Sequence, residues 1–225
     1  MGRFTPADTR RSDNFPWESA CWITGRGTGP AGRVPIMTAH DHYGRFGAGR
    51  ESPLGAGLDP ARTALVLVDL MDRLVALPLA PHPGTGVVSA ALGLARAFRA
   101  AGAPVAAVRV RRPGAAEQPP GSDVVAEVAE TADTVVVKQA VGAFHRTDLH
   151  QWLTDRGVDT LVLGGIATNM AVESTARAAA DLGYRLVFAH DAMSGLTAAE
   201  HEAAVALDFP RFGTVVAAAD VRFAR

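Results

Sequence analysis

The sequence predicts an α/β fold on a mainly parallel sheet, and three observations predict it. From Thr63 onward, short apolar runs alternate with longer amphipathic stretches. The short runs are almost continuously apolar, as strands buried on both faces must be. The stretches between them are helix-length, which implies parallel strands joined by right-handed crossovers.

Ala64, Leu65, Val66, Leu67 and Val68 form the first strand, which ends at Asp69. A helix is expected over residues 86–101, where Val87, Val88, Leu92, Leu94, Ala95 and Phe98 offer an apolar face and Gly102 a C-cap. Residues 104–110 read as a second buried strand, and residues 111–121 as a Pro/Gly-rich loop. Residues 134–137 form a third strand that ends at Lys138. His145 or Thr147 opens a helix that runs through Trp152 to Arg156 and stops at Gly157. Residues 159–163 form a fourth strand. Residues 164–169 read as a tight glycine-bearing turn into a helix over 170–182, closed by Gly183. Residues 185–189 are a fifth strand leading to His190 and Asp191. A helix over 198–207 and a short strand over 214–217 complete the pattern. No repeat with a period of 20–50 residues is present.

Composition narrows the function classes. The chain has 225 residues, 48% of them hydrophobic, and a formal net charge of -1. That charge gives no footprint for nucleic acid or an anionic membrane, so neither is expected as a partner. No apolar run is long enough to span a bilayer. A single cysteine, Cys21, excludes an intramolecular disulfide, and with no signal core at the start a cytoplasmic setting is expected. Residues 1–59 differ from the rest: rich in Gly, Pro and Arg, they carry Trp17, Trp22, His40, His42, Tyr43 and Phe46. They read as an irregular N-terminal arm whose aromatics cover the main body or a second subunit. Residues 60–225 read as the catalytic domain.

In an open parallel sheet, ligands bind beyond the carboxyl ends of the strands. Asp69, Lys138 and the turn 164–169 all fall there. A carboxylate in a partly dry site serves as general acid or base. A nearby lysine orients it or stabilises an oxyanion. A glycine-bearing turn at a helix start presents backbone N–H groups to negative charge. Asn169 is most simply an N-cap, with substrate hydrogen bonding as its alternative. Phe144 either lines the pocket or packs in the core. Glu173 and Arg177, four apart, form a helix-surface or interface ion pair. His145 and His190 read as structural.

These segments together resemble the isochorismatase-like cysteine hydrolase superfamily. The resemblance runs from about Thr63 to the C-terminus. It rests on the strand leading to Asp69, on Lys138 followed by Gly142-Ala143-Phe144 and Thr147-Asp148-Leu149, on the segment from Gly164 to Arg177, and on Asp191-Ala192. It implies a doubly wound sheet of about six parallel strands and a site built on an Asp–Lys–Cys triad. It implies a cis peptide between Ile166 and Ala167, with Ile166, Ala167, Thr168 and Asn169 around the substrate and the N–H groups of Ala167 and Ala171 aimed into the pocket. It also implies a homo-oligomer, a dimer or tetramer.

Departures from the family pattern shape the functional expectation. Ala171 stands where the amide hydrolases carry their nucleophilic cysteine, and a methyl group cannot attack a carbonyl. Met71 stands where the family often has glutamine. The Asp and His that bind metal in nicotinamidases have no counterpart after Val110, so no catalytic metal and no cofactor are expected. His40-Asp41-His42 reads as surface. The expectation is a hydrolase of a small molecule acting through Asp69 and Lys138 without covalent catalysis, with vinyl-ether hydrolysis as the first candidate. The alternatives are an amide hydrolase whose cysteine is replaced by Ala171, and a non-catalytic binder that keeps the pair because its two charges satisfy each other.

Overall fold

The computed structural model describes residues 57–224. Six strands form one sheet: β1 (Thr63–Val68), β2 (Val105–Val110), β3 (Thr134–Lys138), β4 (Thr160–Ile166), β5 (Arg185–Ser194) and β6 (Gly213–Val216). Their spatial order is β3-β2-β1-β4-β5-β6, and every neighbouring pair is parallel. Connections run outward to one side of β1 and then to the other, so the order reverses between β1 and β4. Such a switch point opens a crevice at the carboxyl end of the sheet.

Seven α-helices lie among the described residues: α1 (Asp72–Val75), α2 (Gly84–Ala101), α3 (Ala126–Thr131), α4 (Leu149–Thr154), α5 (Glu173–Asp181), α6 (Ala198–Ala203) and α7 (Phe209–Phe212). β1 is buried along its whole length, and its alternate residues feed two cores. Leu65 and Leu67 join Val87, Leu94 and Phe98 of α2. Ala64, Val66 and Val68 join Leu149 and Leu153 of α4, Ala176 and Ala179 of α5, and Phe209 of α7. Helices thus cover both faces, as a doubly wound sheet requires. Each fully buried Leu, Val or Phe contributes roughly 1.5–3 kcal/mol. The apolar face of α2 recurs at intervals of three and four residues, and the helix closes at Gly102 with φ 73°. A left-handed C-cap suits glycine because it has no Cβ to clash. No helix among the described residues is long and apolar enough to cross a membrane.

Several expectations need correction. The segment 164–169 is not a turn throughout, because β4 continues through Gly164 and Gly165 to Ile166. These glycines mark close strand approach. A Cβ on Gly165, which has φ 131°, would lie 2.0 Å from the Val68 carbonyl oxygen. The chain then makes a π-helical turn, Thr168–Val172, and α5 begins only at Glu173, not at residue 170. β5 extends to Ser194, beyond the expected end at 189. The helix expected over 198–207 is split into α6 and a second π-helical turn, Ala204–Asp208. α3 was not anticipated, since a six-residue helix with only Val128 buried carries no readable period. Leu58, just before the expected boundary at residue 59, is buried in the first core and bridges Phe223. The arm's Trp17, Cys21, Trp22, His40, Asp41, His42, Tyr43 and Phe46 lie outside the described residues.

Candidate active site

Asp69 follows the last residue of β1 and adopts φ 55°. That left-handed conformation is uncommon but least costly for Asp, Asn and Gly. Its N–H donates to the Val108 carbonyl at 2.8 Å, and its carbonyl accepts from Met71 N–H at 2.8 Å. The backbone therefore stays zipped to β2 while it reverses into α1. Lys138 is the last residue of β3, with β2 lying between it and β1. Its side chain crosses the end of β2, a span of roughly 10 Å for two strand spacings. Lys138 Nζ reaches Asp69 Oδ2 at 2.8 Å, with the lysine side chain 1% exposed and the aspartate 6%. Nζ also donates to the Val141 carbonyl.

The second carboxyl oxygen, Asp69 Oδ1, is buried and has no hydrogen-bond partner among the described residues. Burial is the strongest influence on this carboxyl group and raises its pKa, while the charge and hydrogen bond of Lys138 and the charge of Arg73 pull it back. The net direction is upward from 3.8. Arg73 was not anticipated as a site residue. It lies on α1, four residues after Asp69, and its Nε is buried without a hydrogen-bond partner among the described residues. The spacing was visible in the sequence, but nothing there said that α1 folds back against the strand end.

The Val68–Gly165 register places the end of β4 beside that of β1. The Ile166–Ala167 peptide is cis, as the resemblance implied. Thr168 is buried, and its Oγ1 lies 2.8 Å from His201 Nδ1. Asn169 is not an N-cap: Ala167 occupies that position and makes no side-chain cap bond. Instead Asn169 Oδ1 is another buried oxygen without a hydrogen-bond partner among the described residues. Ala171 is 6% exposed within the π-helical turn. Its carbonyl accepts from Thr175 Oγ1 at 2.7 Å, and that hydroxyl in turn accepts from Ala143 N–H at 3.1 Å. This relay fastens the segment after Lys138 to α5. Phe144 stacks on Tyr184 with centroids 5.8 Å apart, so its observed contacts are those of packing. Glu173 and Arg177 pair at 2.6 Å, and Asp208 joins them at 3.2 Å. His145 is exposed, whereas His190 approaches His82 and His201 with ligand atoms all within 4.8 Å.

Residues 63–220 match the isochorismatase domain. The chain is 39% identical over 175 residues to YecD of Escherichia coli O157:H7, an uncharacterised isochorismatase family protein, covering 70% of this chain and 93% of YecD. An isochorismatase family protein from Burkholderia thailandensis superposes with a TM-score of 0.63 at 37% identity, covering 74% of this chain and 96% of that one. N-carbamoylsarcosine amidase from Thermoplasma acidophilum superposes with a TM-score of 0.59 at 26% identity, covering 70% of this chain and 96% of the amidase. The chain belongs to the isochorismatase family and is a hydrolase of small molecules.

Proposed function

We propose that this isochorismatase-family hydrolase cleaves its substrate without a covalent intermediate, with Asp69 as the acid and Lys138 as its partner, and that the substrate is a vinyl ether. The observation that carries this reading is the buried Asp69–Lys138 pair, whose second carboxyl oxygen has no hydrogen-bond partner among the described residues. That oxygen is free to address a substrate. The raised pKa of Asp69 favours the protonated form that an acid catalyst needs.

In the proposed reaction, Asp69 gives its proton to the terminal carbon of the vinyl ether, and the other alkene carbon becomes an oxocarbenium ion. Water adds there and returns a proton to the Asp69 carboxylate. The resulting hemiketal collapses to a ketone and an alcohol, so atoms and charge balance. Lys138 orients the carboxyl group and stabilises it when ionised. The partnerless Arg73 Nε suits a carboxylate on the substrate. Ala171 supplies space in place of a nucleophile, with Ile166, Ala167, Thr168 and Asn169 forming the adjoining wall.

The test is pyruvate release from isochorismate by the wild-type protein and by Asp69→Asn. The expected outcome is release by the wild type and a loss of roughly 10²–10⁴-fold in the variant, the usual contribution of a positioned acid. No release by the wild type overturns isochorismate as substrate. Equal release by both overturns the role of Asp69.

The likeness to N-carbamoylsarcosine amidase favours a second reading, hydrolysis of a C–N bond. Ammonia release from carbamoyl or amide compounds by Ala171→Cys, with none from the wild type, would select that reading. It would make Ala171 the position of a lost nucleophile.

A further inference from the structure

Three histidines with no part in the proposed reaction meet at the carboxyl end of β5. His82 comes from the loop before α2, His190 from β5 and His201 from α6. One ligand nitrogen from each lies within 4.8 Å of the other two. The histidines stand 108 and 11 positions apart along the chain, so no local motif joins them.

Each is held by a distinct device. The His82 loop is zipped to the end of β5 by Ala80 N–H to the Gly195 carbonyl at 3.1 Å and by the reciprocal bond at 3.0 Å. His82 N–H also donates to Ser194 Oγ at 3.2 Å. His190 sits where β5 bulges: between paired positions, β4 advances from Leu163 to Gly165 while β5 advances from Phe188 to Met193. A bulge re-aims side chains that a regular strand would alternate. It is pinned by Ala218 N–H donating to Asp191 Oδ1 at 2.6 Å. His201 is set by the capping box of α6, in which Thr197 and Glu200 satisfy one another's backbone N–H groups.

We propose that His82, His190 and His201 form a binding site for a divalent cation of the Zn²⁺ type. Three imidazoles without a carboxylate suit zinc and its borderline neighbours, not magnesium or calcium. His201 is 3% exposed, so little solvent competes for its ring nitrogens. Its Nδ1 lies 2.8 Å from Thr168 Oγ1. With the proton on Nδ1 and Thr168 accepting it, Nε2 is left as the ligand, the arrangement that fixes metal-binding histidines elsewhere. Tetrahedral zinc holds nitrogens at about 2.0–2.1 Å, which brings them roughly 3.4 Å apart. Partly exposed His82 and His190 have room for that closure. The fourth position then faces the exposed side and takes water or an anion.

This site is separate from the position after β2 where the resemblance places the nicotinamidase ligands: β5 lies on the far side of β1. It touches the proposed reaction site through Thr168. A bound cation therefore holds the Thr168 turn in place and gives that turn a ligand-dependent stability.

The test is calorimetric titration of Zn²⁺ into the untagged, chelator-treated full chain, with Co²⁺ absorption as a report of tetrahedral nitrogen coordination. The expected result is one tight equivalent that is lost in His82→Gln and in His190→Gln, each checked for native circular dichroism. It persists in His145→Gln and in the double variant His40→Gln, His42→Gln. Thr168→Val should weaken binding about 10–100-fold. Absence of a tight equivalent in the wild type overturns the site. So does an equivalent that survives both cluster variants or is lost with His40 and His42.

Discussion

The two ends of the sheet each hold an aspartate paired with cations, and they treat it in opposite ways. At the amino end, Asp159 precedes β4. Its Oδ2 accepts from Arg62 Nε and Nη2, and its Oδ1 accepts from Arg185 Nη2 and Thr160 Oγ1. Its side chain is 30% exposed, against 6% for Asp69. At the carboxyl end, Asp69 has one lysine on one oxygen and, among the described residues, no hydrogen-bond partner on the other. Desolvation works upward on both carboxyls. At Asp159 the hydrogen bonds of Arg185, Arg62 and Thr160 outweigh it and bring the pKa to about 2. At Asp69 desolvation wins and the pKa rises. The lesson is that an ion pair alone does not decide a carboxylate's role. A fully satisfied, water-facing carboxylate is a fastening, whereas a buried one with a spare oxygen is poised for chemistry.

The contrast can be broken most forcefully at Lys138. Lys138→Met leaves Asp69 buried without its partner, and the expected loss in stability is about 3–5 kcal/mol in a denaturant melt. A loss under about 1 kcal/mol would mean that the pair is dispensable to the fold. Next in size is the pH response, which should differ in sign at the two ends. The stability that Asp159 confers is present above the unfolded carboxyl pKa of 3.8 and is lost as pH falls toward about 2. For Asp69 the direction reverses: its contribution is greatest below 3.8 and fades as pH rises through its higher folded value. Acid-dependent turnover should therefore fall on the alkaline side. A pH–rate profile of the wild type that rises there instead would contradict Asp69 as the acid. The smallest effect is expected at Asp159→Ala. Its pairs are half in water, so roughly 1 kcal/mol of stability should be lost, less at high salt, with turnover unchanged. A clear fall in turnover would erase the functional contrast between the two ends.

Much of this was legible along the chain, and the misses have physical causes. The strand periods of β1, β2 and β4 are carried by consecutive residues, so they survive in one dimension. Asp69 and Lys138 were readable because both end apolar runs, and such ends lie at the rim where ligands bind. The glycines at 164 and 165 misled because glycine serves both a turn and a close strand contact, and only the neighbouring strand distinguishes them. Asn169 misled for a related reason. Its position before an apolar helix suits a cap, but the π-helical turn moves the cap to Ala167 and buries the amide oxygen instead.

By itself, then, the sequence determined the alternation of strands and helices, the parallel sheet, and the two charged residues at its rim. It did so because burial period and charge are properties of a residue and its near neighbours. Only the tertiary structure decided that Lys138 crosses β2 to reach Asp69, that the charge of Arg73 bears on the same carboxyl group, and that His82, His190 and His201 converge. Those facts depend on strand order, on a bulge in β5, and on which side chains the packing buries together. Contacts between residues far apart in the chain are fixed by the whole core at once, and no local pattern encodes them.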